Sequence, residues 1–111
     1  MDIPKSQDWN YQEFVTFVMI YASNVDMDFS EVEKARINAR VSKSTFDKMY
    51  HEFDKRSDFE SLQTILSYKG LYYPTVARKL ELLNAVKLLF FADGEYTPME
   101  KELMHFFEKL M

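Results

Sequence analysis

Between Leu80 and Leu110 the chain reads LELLNAVKLLFFADGEYTPMEKELMHFFEKL, and the spacing of its apolar residues leaves few folds open. Leu80, Leu83, Val86, Leu89 and Phe90 recur at three- and four-residue intervals, and only Asn84 and Lys87 are polar between Leu82 and Ala92. A helix so apolar must be enclosed by others. The sequence therefore puts this helix at the centre of the fold, from Pro74 at a first helical position to Ala92. An acidic elbow follows, D-G-E-Y-T-P-M-E from Asp93. In it Thr97 caps, Pro98 takes the first helical position and Glu100 closes a T-x-x-E box, which fixes the start of a last helix. That helix is expected to turn Met99, Leu103, Phe106, Phe107 and Leu110 inward.

The elbow occurs twice. From Asp26 the chain reads D-M-D-F-S-E-V-E, so both copies are Asp-x-acid-aromatic-hydroxyl-x-apolar-Glu. Before the first copy, Asp8 can cap a helix running from Trp9 to Asn24, with Phe14, Phe17, Val18, Tyr21 and Val25 on one stripe and Val15, Met19 and Ala22 widening it. After it, the Ser30–Glu33 capping box opens a short helix from Glu31 to Val41, with Val32, Ala35 and Ala39 on one side and Lys34, Arg36 and Arg40 outside. Ser42 caps a third helix carrying Phe46, Met49, Tyr50 and Phe53. Ser57 and Glu60 box the start of a fourth, whose face is Phe59, Leu62, Ile65, Leu66 and Lys69 and whose C-terminal cap is Gly70. Nothing reads as a strand. The expected fold is all-α, a compact bundle of about six helices with two pseudo-repeated helix–acidic elbow–helix units. It forms a single domain over residues 1–111, with residues 1–7 as a flexible tail.

Composition narrows the function classes. Fourteen basic against eighteen acidic residues give a net charge of -4, the wrong sign for a domain that binds nucleic-acid phosphate. With no Cys, disulfides, thiolate metal sites and a cysteine nucleophile are excluded. Ten Phe, seven Tyr and one Trp beside two Gly argue for packed order throughout. No apolar run approaches the ~20 residues of a membrane span. Asp2, Asp8 and Glu13 surround the approach to FVTFVMIYA where a leader would be basic, so the chain is expected to be cytoplasmic, without membrane insertion. No nucleophile motif, phosphate-cradling loop or paired-His site is present, so an enzyme is not expected. His51 and His105 lie off the apolar stripes and are expected to be solvated.

The elbows admit two readings. Asp93, Glu95 and Thr97, like Asp26, Asp28 and Ser30, place oxygens at alternate residues, which suits a hard cation such as Ca²⁺ or Mg²⁺. Asp26, Asp28, Asp93 and Glu95 would then be the metal ligands. An EF-hand loop would continue with Gly at its sixth position and Glu at its twelfth, where this chain has Pro98 or Glu31 and Met104 or Ile37. The other reading makes the aspartates Asx-turn acceptors, with Ser30, Glu33, Thr97 and Glu100 as helix caps, and it is the favoured one. Arg36, Arg40 and Lys43 form a basic corner, and Tyr72 and Tyr73, beside Tyr68, an aromatic turn. Both are candidate partner surfaces, set against a solvated helix face and a plain closure of the core.

The A-D-G-E-x-[ST]-x-x-E elbow between two helices, preceded by LLNAVKLLFFAD, resembles the tellurite-resistance protein B (TerB) family. That family is related to the N-terminal domain of a membrane-anchored DnaJ-like co-chaperone. The elbow at Asp26 and Asp28, with Ser30 and Glu33, is similar to the first acidic motif of such domains. The resemblance implies an all-α, non-enzymatic domain of bacterial stress and metal-resistance systems. It also implies acidic residues that take a divalent cation, and a protein partner within a membrane-associated complex.

Overall fold

The longest unbroken run of buried residues, Phe14 to Ser23, makes the first helix the axis of the structure. The computed structural model describes residues 9–24, 35, 38–39, 41–90 and 98–110, excepting the side chains of 89, 90, 99, 100 and 110. Among these residues the helices are α1 (Tyr11–Ser23), α2 (Lys43–Asp54), α3 (Asp58–Ser67), α4 (Lys69–Tyr72), α5 (Val76–Phe90) and α6 (Pro98–Leu110), with no strand. The all-α bundle is therefore as expected. Its radius of gyration, 13.1 Å, is that of a closely packed domain of this length.

Helix α1 packs against α2, α3 and α5, while α6 lies on α5 and reaches α1 through the Phe107 ring, 6.1 Å from Tyr21. The sequence placed α5 at the centre; the structure places α1 there. The reason is charge. No charged residue interrupts α1 after Glu13, and the enclosed Thr16 keeps a hydrogen bond, its hydroxyl donating to the Gln12 carbonyl at 2.7 Å. Helix α5 carries Arg78, Lys79, Glu81 and Lys87, and among its described side chains Leu82, Leu83 and Val86 are buried, while Leu80 is exposed. Leu89 and Phe90, the rest of the expected inner set, have side chains outside the described residues.

Helix starts follow local chemistry closely. In α1 the cap is Asn10, whose side chain accepts from the Glu13 amide at 2.8 Å while the Glu13 carboxylate accepts from the Asn10 amide at 3.0 Å. Asp8 lies outside the described residues. Ser42 caps α2 through the Thr45 amide, and Ser57 with Glu60 forms the expected box on α3. Helix α5 begins two residues later than Pro74, because the Thr75 hydroxyl accepts from the Arg78 amide at 3.2 Å and so serves as the cap.

The inward face of α3 also differs from expectation. Ser61, Thr64 and Ile65 are buried, while Phe59 is 66% exposed. The face that α3 turns inward is thus made of two small polar residues and Ile65, and Phe59 lies off it. On α6, Leu103, Met104 and Phe107 are buried and Phe106 is exposed. Ala35 and Ala39, in helical conformation, are exposed.

Gly70 is not a left-handed cap. It sits inside α4, and a Cβ placed there would meet nothing within 4 Å. Gly70→Ala is therefore expected to raise stability by about 0.4–1 kcal/mol, mainly by restricting the unfolded chain. Chemical denaturation reads this directly, and a lowered midpoint would contradict the helical assignment.

Candidate functional site

Several sequence-predicted residues fall outside the described ones: Asp26, Asp28, Asp93 and Glu95, the caps Ser30, Glu33 and Thr97, and the corner residues Arg36 and Arg40. Glu100 lies in α6 with its side chain outside them. Among the described residues no group of three or more His, Cys, Asp or Glu side chains is arranged to hold a metal ion. Lys43 is exposed and pairs with Asp47 on its own helix at 3.3 Å. His51 and His105 are exposed, as expected.

The aromatic turn closes the core. Tyr73 is 1% exposed, and its hydroxyl donates to the Ile65 carbonyl at 2.8 Å. Tyr72 is half-buried, stacked on Tyr68 with ring centroids 5.5 Å apart, and donates to the Trp9 carbonyl at 2.5 Å. Tyr73 is thus withdrawn from any partner, because a hydroxyl taken out of water must keep its hydrogen bond. Burial pushes its ionisation well above the ordinary tyrosine range. Tyr21 is raised as well, by burial and then by the nearby Asp58 charge.

Trp9 completes this cluster, and sequence reading placed it only at a helix start. It is 5% exposed and stacks on Tyr68 at 5.5 Å. The Tyr68 hydroxyl accepts from the Trp9 amide at 3.4 Å. The Arg56 guanidinium lies over the Trp9 ring at 5.4 Å and over Phe17 at 5.7 Å, while its Nη1 donates to the Glu52 carboxylate at 2.9 Å. The available signal was positional: Trp9 precedes the cap and Phe14 is the fourth helical residue, the two places of a hydrophobic staple.

Two carboxylates are held by ion pairs, Glu13 across helices and Glu52 at the end of its own. The Lys48 ammonium donates to Glu13 at 2.8 Å, joining α1 to α2, and this bond outweighs burial to hold Glu13 below the usual carboxylate range. Burial alone would raise Glu52, but its bonds from Arg56 and Lys55 more than offset that, and it too is lowered. Because both folded-state values are depressed, the stability they contribute is full above the ordinary value of 4.5 and is lost as pH falls through the folded values. Glu13→Gln is therefore expected to lose less stability than the parent between pH ~6 and pH ~3. Urea unfolding across that range checks it, and parallel curves would refute the linkage.

Shallow surface depressions lie among the described residues. One, of 410 Å³, is lined by Phe46, Asp47, Tyr50, His51 and Asp54 on α2. Another, of 470 Å³, is lined by Lys101, Glu102, His105, Phe106 and Lys109 on α6. A third exposed feature is apolar: Val76 and Leu88 of α5 are 73% and 68% exposed, with Leu80 between them.

Comparison of the chain with protein-family models, with curated proteins and with solved structures finds no match in any of the three.

Proposed function

We propose that this domain is a non-enzymatic, TerB-like interaction or scaffold module that serves a bacterial stress response by holding a protein partner. The observation that carries the reading is the apolar surface that α5 leaves exposed. Leu82, Leu83 and Val86 are buried, whereas Val76, Leu80 and Leu88 of the same helix are 73%, 49% and 68% exposed, so part of its apolar surface is left uncovered. These side chains contribute little to the fold, and their exposed apolar surface is favourable to cover. An amphipathic helix or hydrophobic ridge of a partner is the chemistry that fits.

The test is site-specific photo-cross-linking in the native host, with the cross-linker at position 80 or 88 and, as control, at 69. A discrete heterologous adduct from the α5 positions alone supports the reading. Equal labelling from all three positions, or none from α5 in a folded variant, would end it.

The alternating oxygens of the two elbows sustain a second reading, a divalent-cation sensor or buffer. Ca²⁺ or Mg²⁺ bound only by the native state would stabilise it by about 2.7 kcal/mol at a hundred times its dissociation constant. Thermal melts with chelator and with each ion decide it: a shift abolished by Asp93→Asn supports the sensor, and unchanged melts at millimolar ion remove it.

A further inference from the structure

We infer that the acidic depression on α2 and the basic one on α6 are complementary, and that together they bring two copies of this chain into a weak, salt-sensitive association. Both depressions use residues at i, i+1, i+4, i+5 and i+8 of one helix, with Phe46 and Tyr50 of α2 half-buried. On α2 the charges are Asp47 and Asp54, with the Asp47–Lys43 ion pair at its edge. On α6 they are Lys101 and Lys109, with Glu102 as the one acidic member.

The spacings match. Asp47 and Asp54 are separated by about 10.5 Å along their helix axis and Lys101 and Lys109 by about 12 Å, from a rise of 1.5 Å per residue. In an antiparallel docking, Lys109 meets Asp47 and Lys101 meets Asp54. Phe106, 42% exposed, then falls between those ends, level with Tyr50 three residues from Asp47. An apolar centre with charged ends is the usual arrangement of a small interface.

Because the two faces differ, the contact is head-to-tail, closing as a reciprocal dimer or continuing as a chain. One helix face on each side is well below the roughly 800 Å² per partner of a standard interface, so the affinity is low. Exposed pairs of this kind are screened by salt over about 8 Å at physiological ionic strength.

Sedimentation of the full chain over a concentration series tests this, at ~20 mM and ~500 mM salt. The low-salt average mass should rise towards at least twice that of the chain at millimolar protein and fall back at high salt. Reversing α2 (Asp47→Lys with Asp54→Lys) or α6 (Lys101→Glu with Lys109→Glu) should each abolish the rise. Mixing the two reversed proteins, or combining all four changes in one chain, should restore it. A monomer at every concentration, an association that survives either reversal, or a failure of the mixture to restore it would overturn the proposal. Circular dichroism of each variant separates loss of contact from loss of fold.

Discussion

Phe14→Ala is expected to lower stability by about 3–5 kcal/mol, a large share of the roughly 5–15 kcal/mol available to a domain of this kind. Phe14 is wholly buried, with Tyr68, Tyr72 and Tyr73 ring centroids at 5.0, 5.4 and 5.9 Å. The cost depends on whether the neighbours can collapse into the space. Here they cannot move freely, because the Tyr72 and Tyr73 hydroxyls are committed to the Trp9 and Ile65 carbonyls. Any inward shift that fills the cavity breaks a buried hydrogen bond. Equilibrium unfolding in urea measures the effect, and a loss under about 1.5 kcal/mol would mean that the cluster repacks.

The second large effect is expected at Arg56. Arg56→Ala should cost about 2 kcal/mol, since it removes a charge-assisted bond to Glu52 and the cation over Trp9 and Phe17. The Arg56 and Glu52 side chains are 14% and 20% exposed, so the pair is partly shielded from water and salt. Arg56→Lys separates the contributions. It keeps the charge but loses the planar fork, and should recover less than half of the loss. Trp9 is the only Trp, so its emission reports the ring's surroundings without ambiguity. An Arg56→Ala protein with unchanged stability and emission would show that neither contact matters.

Much of the bundle is legible because helix boundaries are short-range chemistry. Ser42, and Ser57 with Glu60, form the caps that their spacing announces, and Pro98 begins α6. Which helix lies at the centre is a different question, decided by which faces neighbours can cover. Helix α5 carries Arg78, Lys79, Glu81 and Lys87 and leaves Val76, Leu80 and Leu88 exposed. The run Phe14–Ser23, with no charged member, can be surrounded completely. Phe59 differs for a related reason: hydrophobicity identifies what would gain from burial, whereas the face that α3 turns inward carries Ser61, Thr64 and Ile65. Gly70 marked a break by composition, yet nothing around it demands an unusual backbone. For the candidate sites, the aromatic turn was visible as residue types. Its orientation was not, because that depends on Trp9 arriving from the far end of the chain.

The clamp on Trp9 also bears on the order of folding. Its partners Tyr68 and Tyr72 lie 59 and 63 residues further on, so closing it costs the entropy of a long loop. Helix α1 leaves the ribosome first, yet much of what surrounds it is made later, up to the Phe107 that packs on Tyr21. The most apolar of the described helices therefore waits exposed until those later segments emerge, and that interval is when the nascent chain is most vulnerable to aggregation.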